Sequence, residues 1–386
     1  MPQLRGMTWD HIRGYGPLLE TTLQFQCIHP DFSIRWERRS LKDFGDYPVD
    51  QLASEYDIIM IDHPHVGICA EQEVLVPLDQ WLDDEILEDQ TKHSVGPSFL
   101  SYQWRDHTWA LPVDAAAQVT AYRPDLMNGL PLPSTWQQVL ELPAHLPPAV
   151  KIGMPLCPTD LMCSFLSICA NIGGGQFFDG IRGIHPEIGE QAVSLLQKLL
   201  PILHPKSLEW NPIQMLNHMA DTNEIALIPL CFGYSNYSRA ETSANLICFA
   251  NIPSFNGVPH GSLLGGVGLA ISASSRHIQA AVKYAEYTAS GAVQRTIYFD
   301  SGGQPGHRSA WDDPEVNKKC HSFFANTITT LELAYVRPRD KHFPAFQEKA
   351  GEYLHKMLAA GRNAKEIVTE INHLYSSVHR KFHKKR

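Results

Sequence analysis

"YDIIMIDHPHVG", residues 56–67, decides how this chain folds. Ile58 to Ile61 make an apolar run of four residues, bounded by Asp57 and Asp62. Short unbroken apolar runs are the mark of a parallel strand buried on both faces, because helices cover both sides of such a sheet. Pro64 argues against a continuing strand ladder and for a turn. The stretch therefore reads as strand, polar loop and following helix, the repeating unit of an α/β fold.

Working outward, "LRGMTW" (4–9) is a short strand candidate and "DHIRGYG" (10–16) a loop. "PLLETTLQFQCIHP" (17–30) has Leu19, Leu23 and Cys27 every four residues and Leu18 and Phe25 seven apart, which predicts a helix stopped at Pro30. "FSIRWERRS" (32–40) alternates Phe32, Ile34 and Trp36 with polar neighbours, as a half-buried strand does. In open α/β sheets ligands bind outside the carboxyl ends of the strands. Three loops, Asp10 to Gly16, Arg39 to Phe44 and Asp62 to Gly67, are thus expected on one rim.

The pattern continues downstream. "HTWALPVDAAAQVTAYRP" (107–124) reads as two strands with a change of direction at Pro112 to Ala115, and Thr135 with Gln138 in "PSTWQQVLEL" forms a capping box. Residues 152–179 read as strand, loop, helix and a glycine stop at Gly173 to Gly175. "EIALIPLCFGYSN" (224–236) is a buried strand ending in an aromatic loop. In "SRHIQAAVKYAEYTAS" (275–290), Ile278, Ala281, Val282 and Ala285 share a helix face, and two helices split at Gly361 close the chain.

Composition bounds the function. At 386 residues, 44% hydrophobic and 19% charged, the chain is expected to form two globular domains. A net charge of −9 argues against nucleic acid as a partner, since phosphate binders concentrate Lys and Arg. Only the end, "HRKFHKKR" (379–386), is strongly basic, and it reads as a solvated helix end. No apolar run approaches a membrane span, so no membrane insertion is expected. "MPQLRGMTWDH" lacks the features of a secretory signal, which favours the cytoplasm for the chain as written, with the periplasm the alternative if a signal has been trimmed. The eight cysteines contain no C-x-x-C pair and read as buried thiols.

The order of these features resembles the family 1, maltose-binding-like solute-binding proteins of ABC transporters. "YDIIMIDHPHVGICAEQEVLVPLDQWL", "YQWRDHTWALPVDAAAQVTAYRPDLMNGLPLPSTWQQVLEL", "IGGGQFFD", "GSLLGGVGLAISASSRHIQAAVKYAEYTASGAVQRT" and "SGGQPGHRSAW" carry the resemblance over nearly the whole chain. It implies a two-lobed periplasmic-binding-protein-like fold, each lobe a mixed, mostly parallel sheet flanked by helices, with the ligand cleft between lobes. Residues 1–112 and 260–310 would form lobe one, and 113–259 and 311–386 lobe two. It further implies non-catalytic binding of a polar organic solute by a monomer, with closure on the ligand and delivery to permease subunits. Carbohydrate is the family default and an organic acid the alternative. A cytoplasmic sensor or delivery protein of the same fold is the second reading.

The candidate ligand groups follow from the loops. Trp9, His11, Arg13 and Tyr15 offer an aromatic face with hydrogen-bond donors, and Arg13 suits an acid. Ser40 is a ligand or helix-cap candidate. Asp62, His63 and His65 read as hydrogen-bonding groups of a cleft-lining loop. A metal there would need these side chains to converge at about 2.0–2.2 Å, and no H-E-x-x-H or C-x-x-C partner supports it. Asp114, Ala115 and Gln118 lie in the crossing segment, and Thr159 and Asp160 at a helix start where backbone N–H groups suit an anionic ligand group. Tyr234 and Tyr237 supply aromatic groups, and Gly265 and Gly266 allow a ligand to approach the backbone. No cofactor, metal or catalytic residue is expected: there is no G-x-S-x-G elbow and no nucleophile beside a base. A metal-dependent enzyme built on Asp62, His63 and His65 is the least favoured reading.

Overall fold

The computed structural model describes residues 3–40, 49–239 and 244–383. The principal strands are β1 (Gln3–Trp9), β2 (Ser33–Arg39), β3 (Ile58–Ile61), β4 (Leu111–Tyr122), β5 (Lys151–Ile152), β6 (Ile225–Phe232), β7 (Cys248–Ala250) and β8 (Leu264–Ile271). The principal helices are α1 (Ile12–Ile28), α2 (Val66–Gln72), α3 (Trp136–Glu141), α4 (Pro158–Gly173), α5 (Pro186–Leu199), α6 (Pro212–Asp221), α7 (Ile278–Ala289), α8 (Phe343–Ala359) and α9 (Ala364–His383). The chain divides into two compact units: Met1–Ala116, Gly265–Lys318 and Arg339–Lys341 form the first, and Ala117–Leu264, Lys319–Pro338 and His342–Arg386 the second. The architecture is mixed α/β, as the apolar run at 58–61 and its neighbours require.

In the first unit β1 pairs in parallel with β2 (Gly6 opposite Trp36) and with β3 (Gly6 opposite Ile58). β8 closes on β3 antiparallel, Gly268 opposite Ile61. All four residues of β3 are buried, each such side chain contributing about 1.5–3 kcal/mol. The parallel pairing puts the carboxyl ends of β1, β2 and β3 on one side, so the turns after Trp9 and Ile61 share a rim. Most of the third turn, with the helix that Ser40 was expected to cap, lies outside the described residues; Ser40 itself is exposed.

Two local expectations are corrected here. α1 begins at Ile12, so the loop after β1 is only Asp10 and His11, with His11 as N-cap accepting the Arg13 backbone N–H through Nδ1 at 3.2 Å. Its buried face is Leu18, Thr21, Thr22 and Phe25, while Leu19 and Leu23 are 47% and 56% exposed and Cys27 is exposed. The threonines go inside because their hydroxyls bond backward to the Pro17 and Leu18 carbonyls and meet the Tyr284 hydroxyl at 2.8–3.2 Å. β4 is likewise one strand of 12 residues rather than two with a turn at Pro112 to Ala115. Pro112 sits next to the strand start, where a missing N–H is tolerated. Val113 and Ala115 continue the pairing, taking Gly306 N–H at 3.2 Å and giving N–H to the Gln304 carbonyl at 3.1 Å.

In the second unit β4 pairs antiparallel with β6 and β7, and β6 pairs in parallel with β5. Pro229 sits inside β6, and the register slips between Ile228 and Cys231 around it. α3 opens with the Thr135/Gln138 capping box. α4 is an apolar helix with 12 buried residues, packed against α5 and α8. Its glycine stop is as expected, with Gly174 as C-cap. Of the eight cysteines, all unpaired by disulfides, six are buried, Cys157 is half-buried and Cys27 is exposed. Among the described residues no helix is long and apolar enough to cross a membrane.

Candidate functional site

The rim of the first unit is built from the residues that follow β1 and β3. Trp9 ends β1 in the core, and the α1 N-terminus passes so close that a Cβ on Gly14 would lie 2.4 Å from its ring. His11, half-buried, caps α1; burial first, then Arg13, pushes its imidazole down to about 4, although Asp10 opposes this. It is therefore neutral at physiological pH. Tyr15 is half-buried with the Arg38 guanidinium 4.4 Å above its ring.

Arg13 does not point into open space. It is 4% exposed and forms a fork with Asp114, itself 1% exposed, through Nε to Oδ2 at 2.7 Å and Nη2 to Oδ1 at 2.5 Å. Burial pushes the Asp114 carboxyl up, while Arg13 and the Gln304 backbone N–H pull it back. Ala115 beside it is fully buried, its carbonyl receiving the Gln304 side-chain amide at 2.9 Å. Gly266 serves this same segment: its φ is +98°, and a Cβ there would lie 2.3 Å from the Asp114 carbonyl oxygen. Gly266 thus lets β8 approach β4, whereas Gly265 beside it is half-buried. Gly266→Ala is expected to cost about 2–3 kcal/mol, read as a fall in the chemical-denaturation midpoint.

After β3, Asp62 to His65 make a single tight turn leading into α2. His63 is fully buried, with Nδ1 3.2 Å from Asp62 Oδ1, while Asp62 and His65 are half-buried. Gly67 fixes where the turn lies, since a Cβ on it would meet the Arg339 carbonyl oxygen. Among the described residues, His and carboxylate ligand atoms cluster in threes elsewhere, in Asp89, His93 and His307 and in His204, His218 and Glu224.

In the second unit Gln118 is buried, its amide donating to Ser164 at 3.1 Å and accepting from Ser167 at 2.5 Å. This joins β4 to α4. Thr159 is exposed in the first turn of α4, and Asp160 is buried there, accepting the Cys157 thiol proton at 3.0 Å. Burial pushes the Asp160 carboxyl up to about 7. Tyr234 and Tyr237 follow β6, edge to face at 6.4 Å, and Tyr237 donates to Asn217 at 2.6 Å. Both rings are nearly buried. Sequence reading missed the two histidine triads. Asp89 and His93 are four apart on a helix and were visible as a pair, but their third member is more than 200 residues away.

Residues 21–146 match the family of bacterial extracellular solute-binding proteins. The fold is shared with solved binding proteins over almost the full length of both chains. Maltose-bound MalE3 of T. maritima superposes with a TM-score of 0.84 at 16% identity, covering 97% of this chain and 99% of that one. In fold the chain is similar to solute-binding proteins along almost its whole length, and in sequence it matches their family over residues 21–146. A solute-binding protein of Agrobacterium radiobacter K84 in complex with ribitol gives a TM-score of 0.81 at 19% identity, covering 97% and 98%. UgpB of Mycobacterium tuberculosis, in complex with glycerophosphocholine, gives 0.81 at 15%, covering 99% of each chain. In sequence, the chain is 26% identical over 196 residues to a probable amino-acid ABC transporter periplasmic-binding protein of Sinorhizobium fredii. That match takes in 48% of this chain and 43% of the relative.

Proposed function

We propose that the protein binds a neutral, hydroxyl-rich small solute, a sugar or polyol, as the substrate-binding component of an ABC importer. The observation that carries the choice of ligand is the Arg13–Asp114 fork. The cation best suited to hold a carboxylate is already engaged by a buried partner, which removes the main argument for an organic acid. What the first unit offers near its strand ends is neutral His11, the Tyr15 ring and the hydrogen-bonding groups of Asp62 and His65. An aromatic face with hydrogen-bond donors and acceptors suits the alternating apolar and hydroxyl surfaces of a sugar. Thr159, Asp160, Tyr234 and Tyr237 are the contributions proposed from the second unit. Trp9, His63, Ala115 and Gln118 are buried and are assigned structural roles within their own units. The solved relatives with maltose and ribitol support the same ligand class.

The test is a thermal-shift screen of maltose, ribitol, mannitol, glycerophosphocholine, citrate and glutamate. Ligand at about 100 times its Kd stabilises by roughly 2.7 kcal/mol, a readily measured rise in Tm. A polyol or sugar should give that rise, and Tyr15→Ala should lose it. A rise with citrate or glutamate alone would reverse the ligand assignment. The closure implied by the family resemblance predicts a smaller radius of gyration in small-angle scattering once that ligand is added.

A further inference from the structure

His204, His218 and Glu224 come together at the amino ends of β5 and β6. Glu224 directly precedes β6, and its carbonyl receives the Lys151 backbone N–H at 2.7 Å. His204 donates its own backbone N–H to Ile152 in β5 at 2.7 Å, and His218 lies in α6. The two tyrosines proposed to meet the solute follow the other end of β6, whose eight residues span about 26 Å. This cluster is therefore separate from those groups.

Both imidazoles converge on a single carboxylate oxygen. His204 Nε2 lies 3.1 Å and His218 Nε2 3.0 Å from Glu224 Oε2. Ligand atoms about 2.0–2.1 Å from a tetrahedral zinc stand about 3.3 Å from one another, so the two nitrogen–oxygen separations are already close to that spacing, and all three atoms lie within 4.8 Å of one another. Trp210 holds the rings in place, stacked on His204 at 5.2 Å and 4.7 Å from His218. The His204 side chain is 9% exposed and Glu224 56%, which leaves a solvent route to a partly dry site. The imidazoles hold the Glu224 carboxyl below its ordinary value. One contact opposes metal: His204 Nδ1 accepts the Lys206 backbone N–H, and coordination through Nε2 would put a proton there. At 3.3 Å it is a weak bond to give up.

The other triad lacks this convergence. His93 and His307 address different oxygens of Asp89, at 2.8 and 3.2 Å, and His307 Nδ1 is occupied by Ser309.

We propose that His204, His218 and Glu224 form a site for a zinc-class divalent transition metal, which ties α6 to the amino ends of β5 and β6. The experiment uses the full chain without a histidine tag, stripped with chelator, loaded with zinc chloride and passed through gel filtration. About one zinc per chain and a Tm rise of several degrees are expected, consistent with a three-ligand site. His218→Ala and Glu224→Gln, both near the surface, should each weaken zinc binding about tenfold or more, with circular dichroism of the metal-free proteins showing that they fold. His93→Ala should bind zinc as the parent does. Absence of both bound zinc and a Tm shift in the parent would overturn the site, as would zinc retained by His218→Ala or lost in His93→Ala.

Discussion

Asp114→Ala is expected to destabilise the protein by about 3–5 kcal/mol, the cost of stranding one member of a buried ion pair. The fork between Arg13 and Asp114 is almost completely dry, at 4% and 1% exposure. Removing the carboxylate leaves a guanidinium without its counter-charge, and burial gives water little access to replace it. Arg13→Met should cost a similar amount, because burial then acts on Asp114 unopposed and drives its carboxyl further up. Arg13→Met with Asp114→Leu leaves no uncompensated charge and should recover to within about 1–2 kcal/mol of the parent. Urea denaturation of the four proteins closes the cycle. A double variant as unstable as the sum of the singles would show that the pair contributes through shape rather than charge. The fork joins the first turn of α1 to β4, so the single variants should also weaken solute binding where the double restores stability.

How much of this was legible in the sequence depended on whether the signal was local. The apolar run at Ile58 to Ile61, the capping box at Thr135 and Gln138 and the glycine stop after Gly173 are local patterns, and each formed as read. The face of α1 was misread because hydrophobicity was taken as a guide to burial. Leu19 and Leu23 meet solvent while Thr21 and Thr22 go inside, and what draws the threonines in is the Tyr284 hydroxyl, more than 260 residues away. Pro112 misled in the same way, since nothing local shows that Gln304 to Gly306 will sustain the strand past it. Arg13 and Asp114 were both singled out, but not as partners. A separation of 101 residues carries no periodicity, so their union is a product of packing.

Asp160 makes stability depend on pH in a direction opposite to that of most carboxylates. An ordinary Asp titrates near 3.9 in an unfolded chain, whereas burial raises this one to about 7 in the native state. Below about pH 4 the group is protonated in both states and exerts no pull. Between about pH 4 and 7 the native state holds a proton that the unfolded chain releases, so stability falls as pH rises and levels off above 7. Three units correspond to about 4 kcal/mol, and the positive end of α4 returns up to about 1 kcal/mol by favouring the charged form. Asp160→Asn removes the titration while keeping an oxygen for the Cys157 thiol. It should match the parent at pH 4 and exceed it by about 2–3 kcal/mol at pH 8 in urea denaturation. Parallel pH profiles for the two proteins would refute the assignment. The same variant bears on function: at pH 6 a neutral Asp160 can donate a hydrogen bond to a solute hydroxyl, and at pH 8 it can only accept one. If the solute meets Asp160, affinity should change across that interval in the parent and stay level in Asp160→Asn.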